Sequence, residues 1–372
     1  MPLVRAAFDV GPVRAEPTGV GVYASSMAHA LAAQMDPGDL VLIGRREGVT
    51  DLPVGITTTR LERGGYLRWL QVTAPRDVRR VRADVGHFCD GMVPLARRAR
   101  TVVSVHDLSI VRAWRTHPIR RWSRIPFALV APRIADLVIV PSRATADDVM
   151  RLTGTPARKI EVVPDAPQGR VRAPKREAVE ATLRRRDLEP QGYILAVGAI
   201  EPRKNHVRLV GAFERLVASR AIPDRMSLVI AGPPGWRTRP ILERIERSSA
   251  SARIRRLGYV PADELSALLA GAAVVAYPSL FEGFGLPVIE ALACGAPTVT
   301  SNLSSMPEVA GDAAFLVDPY DPSDIARGLE EALRAGESDR DGVAARAMAQ
   351  ASRFTWERAA ARVLDLYQSR LA

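Results

Sequence analysis

The sequence predicts an α/β protein of two doubly wound domains, and three observations point there. Short apolar runs alternate with longer amphipathic ones along the whole chain, the pattern of parallel strands joined by helical crossovers. That periodicity lapses once, over residues 164–186, where Pro, Gly and charge dominate and the run ends in Arg184, Arg185 and Arg186. The length of 372 residues also suits about two domains.

Taken in order, the first series places strands at 4–8, 40–43, 84–88, 101–105, 137–140 and 160–163. Most are short, largely apolar runs, as expected of strands in a parallel sheet. Between them Leu67, Leu70, Ala74, Val78 and Val81 recur at helical spacing, with Arg68, Arg79 and Arg82 off the stripe. Ser142 suits the N-cap of a helix running to about Leu152. The lapse at 164–186 reads as an interdomain connection. The second series places strands at 193–197, 227–231, 253–257, 272–277, 298–300 and 314–317, each followed by a helical run. A last amphipathic helix spans 355–371. The expected boundaries are therefore 1–173, 187–352 and a terminal segment 353–372.

Composition narrows the class. At 47% hydrophobic and 25% charged the chain is ordinary globular material. No run reaches the roughly 18 apolar residues of a membrane span. The nearest, 125–140, is broken by Pro126, Pro132, Arg133 and Asp136. Arg5 and Asp9 lie in a strand-like run, so the N-terminus does not read as a secretory signal. Cys89 and Cys294 make neither a disulfide framework nor a metal spacing, and read as buried residues of a cytosolic protein. The net charge of +11 is lopsided: residues 1–172 carry 26 Lys and Arg against 16 Asp and Glu. Residues 63–124 alone hold 14 basic and 4 acidic residues, interleaved with Trp69, Trp114 and Trp122. Two readings stay open, a solvated basic face or a surface for anionic lipid headgroups or an acidic substrate. No recognition motif for nucleic acid accompanies the charge.

In doubly wound domains ligands bind at the carboxyl ends of strands. That rule selects His106 and Asp107 after strand 101–105, Arg203 and Lys204 after 193–197, and Glu282 after 272–277. In "FEGFGLPVIEALACG" two glutamates, Glu282 and Glu290, flank a glycine-rich bend that enters a helix. Pro287 suits the first helical turn and Gly295 the stop. Gly283 and Gly285 let the backbone come close to a ligand. The amides from Phe284 to Val288 then form an anion site, unless the stretch is only a well-capped helix. In "VGAIEPRKN" Arg203 and Lys204 stand at a helix start, where cations are unfavourable unless they share an anion such as a diphosphate.

Together "GAIEPRKN", "YPSLFEGFGLPVIEALACGAPTVTSN", "SSMPEVAGDAA" and "VSVHDL" resemble the GT-B glycosyltransferases of family 4, over nearly the whole chain. "TGVGVYASSMAHAL" is similar to that family's N-terminal glycine loop and helix, and the Trp356 helix to its crossover onto the first domain. The resemblance implies two Rossmann-like domains facing across a cleft, the first binding acceptor and the second a nucleotide sugar. It implies that Arg203 and Lys204 hold the donor diphosphate and that Glu290 takes the ribose hydroxyls. Glu282, with the amides of Gly283, Phe284, Gly285 and Leu286, would hold the transferred sugar, and His106 would lie beside it. Gly19 and Gly21 would let a loop approach the phosphates, and the base would lie near Gly232, Tyr259 and Val260.

The implied activity is a retaining hexosyl transfer to a glycan or lipid-linked acceptor, with mannosyl from GDP-mannose preferred. UDP- or dTDP-sugars are the alternative donors. An epimerase of the same fold and a non-catalytic sugar-nucleotide-binding module in membrane assembly are the alternative classes. A front-face transfer, in which the departing phosphate takes the acceptor's proton, competes with double displacement through a carboxylate. No cofactor or metal is expected, since the lone D-x-D, Asp339-Arg340-Asp341, reads as a solvated helix connection. The expected location is cytoplasmic, peripheral on the inner face of the plasma membrane. Asp165 stands where the family pattern has asparagine, and no function is assigned to it.

Overall fold

The protein is described by a computed structural model over residues 4–13, 18–44, 52–54, 57–58, 65–112 and 119–371. The chain forms two compact units, Met1–Ala166 with Phe354–Ala372, and Pro167–Arg353.

The first unit holds strands β1 (Ala6–Asp9), β2 (Leu40–Ile43), β3 (Thr57–Thr58), β4 (Val85–Phe88), β5 (Arg100–Ser104), β6 (Leu137–Val140) and β7 (Ile160–Val162). They form one parallel sheet in the order β3-β2-β1-β4-β5-β6-β7. The second holds β8 (Tyr193–Val197), β9 (Ser227–Ala231), β10 (Ile254–Gly258), β11 (Val274–Tyr277), β12 (Thr298–Ser301) and β13 (Phe315–Val317). These are also all parallel, in the order β10-β9-β8-β11-β12-β13. The winding direction reverses between β1 and β4 and again between β8 and β11, and a crevice opens at such a point beyond the strand ends. Runs such as LVLI, LVIV and YILAV are buried throughout because helices cover both faces. The twelve expected strands are all present within one or two residues, and β3 was not expected.

Three expectations need correction. Part of 164–186 is not a connection, because Arg176–Arg185 is a helix of the second unit. Leu183 is buried there with Tyr193, Leu268 and Leu269, and Arg186 bonds Glu264 Oε2 from Nε at 3.0 Å. The helix was hidden because so few of its residues are apolar. The 66–80 segment is α-helical at Tyr66–Arg68 and Ala74–Arg80 but a π turn at Trp69–Thr73. The wider turn rotates the buried face, so Trp69 enters the core and Leu67 is left 40% exposed. Trp69 therefore cannot be a surface anchor in the basic stretch, and Trp114 lies outside the described residues.

Two caps follow the sequence closely. Ser142 Oγ accepts from Thr145 N at 3.1 Å, and the helix Arg143–Thr153 stops at Gly154 with φ 69°. Asp339 caps the helix Arg340–Ala351 by accepting from Gly342 N at 2.9 Å.

The last helix, Trp356–Arg370, packs on Gly19–Ala32, burying Val363, Leu366 and Tyr367 with Tyr23, Met27 and Leu31. A polar chain runs through this core. Tyr23 Oη meets Ser104 Oγ at 2.8 Å, Ser104 Oγ meets His87 Nε2 at 2.7 Å, and His87 Nδ1 meets Tyr367 Oη at 2.6 Å. Burial, with the nearby His106, pushes His87 down to about 3, so the ring is neutral and each nitrogen needs its partner. Tyr367→Phe should therefore strand His87 Nδ1 at a cost of about 1–3 kcal/mol. Urea denaturation read by tryptophan fluorescence checks this, and an unchanged midpoint would show that the hydroxyl is dispensable.

Candidate functional site

Two clusters form at carboxyl ends of strands beside the two reversals. In the second unit, β8 ends at Val197 and leads into a turn of 3-10 helix, Pro202–Lys204. Asn205, at φ 62°, separates that turn from the helix His206–Ala218. Arg203 and Lys204 therefore precede the helix rather than open it. Asn205 Nδ2 fixes the loop by donating to Pro278 O at 3.0 Å and Pro319 O at 2.6 Å.

The cations meet carboxylates of the chain itself. Glu282 follows β11 and turns its side chain back toward them. Lys204 Nζ is 2.7 Å from Glu282 Oε1, which also accepts from Tyr277 Oη at 2.8 Å and Ser279 Oγ at 2.7 Å. Lys204 Nζ also donates to Tyr277 Oη. Arg203 Nη1 donates to Glu282 Oε2 and, at 3.1 Å, to Phe281 O. Its Nη2 lies 2.8 Å from Glu201 Oε1 and its Nε 3.1 Å from the same atom. The anion that the sequence required is thus supplied internally, and two cations face two carboxylates.

Burial raises the Glu282 carboxyl, but Arg203, Lys204 and the hydrogen bonds from Lys204 and Ser279 hold it down at about 2. Burial and then Arg203 lower Lys204, with Glu282 and Glu201 opposing. Burial raises Glu201, against Arg203 and Lys204.

Glycines make this packing feasible. A Cβ on Gly232 would lie 2.0 Å from Gly198 O, so its role here is the close approach of two loops. Gly285, at φ 108°, opens the helix Leu286–Ala293, which has no side-chain cap. Ser305 Oγ pins the bend by donating to Glu282 O at 3.1 Å and Phe284 O at 2.8 Å. Gly283 and Phe284 are buried within that bend, while Leu286 is half-exposed at the helix start. Tyr259 is 42% exposed just past β10, whereas Val260 turns into the core. Glu290 is buried one turn into the helix, its carboxyl pushed up to about 7 by burial, against a backbone hydrogen bond from Gln168.

In the first unit, His106 follows β5. Its Nε2 is 2.9 Å from Cys89 O, and a carbonyl only accepts, so Nε2 carries a proton. The ring packs edge-on to Tyr23 at 4.6 Å. Gly19 and Gly21 lie within the first helical turn, capped by Thr18, rather than in a loop before it. Sequence reading missed Glu201, Tyr277, Ser279 and Ser305. All four sit within or next to motifs that it singled out.

Residues 181–347 match the model of "Glycosyl transferases group 1", and 17–166 that of "Glycosyltransferase Family 4". The O-antigen chain mannosyltransferase B of Escherichia coli is 34% identical over 273 residues, covering 73% of this chain and 71% of that one. The serotype-specific mannosyltransferase WbdA of Escherichia coli is 38% identical over 173 residues, 45% of this chain and only 20% of WbdA. Anabaena Alr3699/HepE, solved with UDP and glucose, superposes with a TM-score of 0.77 at 17% identity, over 98% of this chain and 100% of that one.

Glu290 gives a pH test. Its folded pKa, about 7, exceeds the ordinary 4.5, so the stability it contributes is complete below 4.5 and is lost as pH rises through 7. Glu290→Gln should leave thermal stability unchanged at pH 4.5 and raise it by roughly 1–3 kcal/mol at pH 8.5. Melts at the two pH values decide, and a variant less stable at pH 8.5 would mean that the carboxylate is better solvated than its burial implies.

Proposed function

The chain belongs to the family 4 glycosyltransferases, and on that premise we propose that it is a retaining, metal-independent hexosyltransferase moving mannose from GDP-mannose to a glycan or lipid-linked acceptor. The observation that carries this reading is the Arg203, Lys204 and Glu282 cluster at the β8–β11 reversal, beside a helix start without a side-chain cap. The mannosyltransferases among its relatives favour that sugar over a UDP- or dTDP-linked one.

The residues divide the work along the donor. The ring of Tyr259 faces the base, with the Gly232 loop behind it. Glu290, once ionised, accepts from the ribose hydroxyls. Lys204, Arg203 and the Leu286 amide at the start of the helix Leu286–Ala293 take the diphosphate. Glu282 and the Gly283–Gly285 bend take the sugar. As the bond from the anomeric carbon to the phosphate oxygen breaks, charge grows on the departing diphosphate, where fixed cations stabilise it. That oxygen takes the acceptor hydroxyl's proton while the acceptor oxygen bonds the same face, so the configuration is kept. We assign the acceptor to the first unit and His106 to the sugar hydroxyls.

The basic face of the first unit fits a peripheral place on an anionic membrane. Arg68, Arg76, Arg79, Arg80, Arg97, Arg98 and Arg100 are exposed, together with Leu67, Val72 and Leu95. No helix among the described residues is long and apolar enough to cross a membrane.

Two measurements test the proposal. In a screen of nucleotide sugars, GDP-mannose should turn over fastest, NMR of the product should show the donor's anomeric configuration, and EDTA should leave the rate unchanged. An inverted linkage would remove the front-face mechanism. Co-sedimentation should show salt-sensitive binding to anionic vesicles and none to neutral ones, whereas equal binding to both would reduce the charge to solubility.

A further inference from the structure

The cation pair is served by two buried carboxylates with different settings. Glu282 lies on the loop after β11, where one oxygen meets Lys204 Nζ and the other Arg203 Nη1. Glu201 lies in the same loop as Arg203, 3% exposed, and one of its oxygens receives both Nε and Nη2 of the guanidinium. Its other oxygen is wedged near Gly235, where an added Cβ would lie 3.2 Å away. A phosphate approaching Lys204 and Arg203 Nη1 competes with Glu282 for the same donors. It does not compete with Glu201, which holds the opposite edge of the guanidinium.

We propose that Glu201 is a positioning residue of the donor site: it anchors Arg203 through Nε and Nη2 so that Nη1 stays aimed at the place that a phosphate takes over from Glu282. This rests on the donor-site reading above. Glu282 is then the exchangeable counter-ion and Glu201 the permanent one. The exchange has a consequence for the sugar end of the site. Once phosphate neutralises Lys204 and Arg203, the Glu282 carboxylate is released from them and is free to accept sugar hydroxyls.

The two carboxylates should respond differently to neutralisation. Glu282→Gln removes the competing anion, so inorganic pyrophosphate and GDP should bind several-fold tighter by calorimetry while transfer is lost. Glu201→Gln should leave their Kd unchanged or tighter, because a negative charge is gone, yet lower kcat about tenfold, since precise aim matters most as charge develops. Gly235→Ala, which crowds Glu201 without removing it, should lower kcat in the same sense and serves if Glu201→Gln does not fold. A merely structural Glu201 would weaken Kd and kcat together, and that result overturns the proposal. Pyrophosphate binding that weakens in Glu282→Gln would overturn the exchange. A wild-type chain that binds neither GDP, UDP nor pyrophosphate would instead overturn the donor-site reading itself, and the role of Glu201 with it.

Discussion

The second unit is organised around one constraint, that two cations and two carboxylates share a buried volume at the β8–β11 reversal. Each charge alone would be costly to bury, and the pairing with opposite charge offsets that cost. That mutual dependence explains the surroundings. Tyr277 and Ser279 complete the shell of Glu282, and Asn205 ties the cation loop to the segment after β11. Gly198, at φ 124°, leaves room for the Lys204 side chain, and Gly232 lets the neighbouring loop touch it. A loop held so firmly is preorganised, which is what stabilising a developing charge requires.

The first unit depends on a different kind of tie. His87 at the centre of its sheet is neutral and hydrogen-bonded on both sides, to Ser104 and to Tyr367 of the last helix. The helix that ends the chain is thereby a structural part of the unit that begins it. Tyr23, Trp356 and Tyr367 share the apolar core between the two helices, and the polar chain ties the last helix to the sheet. His106 stands at the edge of this network, its Nε2 committed to Cys89 O and its ring against Tyr23. Its aim is therefore set by the core rather than by solvent.

The strands and the sheet-end motifs were legible in the sequence for a physical reason. A parallel strand buried on both faces must be apolar along its length, and a tight bend needs glycine wherever its sequence lies. Both constraints act on neighbouring residues, so LVLI, YILAV, Ser142 and Gly285 announced themselves. The family resemblance worked through the same local blocks. Less local features were hidden. The charged helix Arg176–Arg185 was indistinguishable from a linker, because what holds it is Leu183 meeting residues about 85 positions away. The π turn was also invisible, because Leu70, Ala74 and Val78 keep ordinary helical spacing in the sequence, and only packing exchanges Leu67 for Trp69 in the core.

By itself, then, the sequence determined the two series of parallel strands, the glycine bend, and which acidic and basic side chains stand at strand ends. Only the tertiary structure decided where those side chains point. Glu282 bonds Arg203 and Lys204 across 79 and 78 positions, and His87 bonds Tyr367 across 280. No local pattern encodes such pairs, because each exists only once separate strands have brought their ends together. The same holds for Glu201. In the sequence it is one acidic residue beside a proline, and only burial against Arg203 makes it the fixed counter-ion of the site.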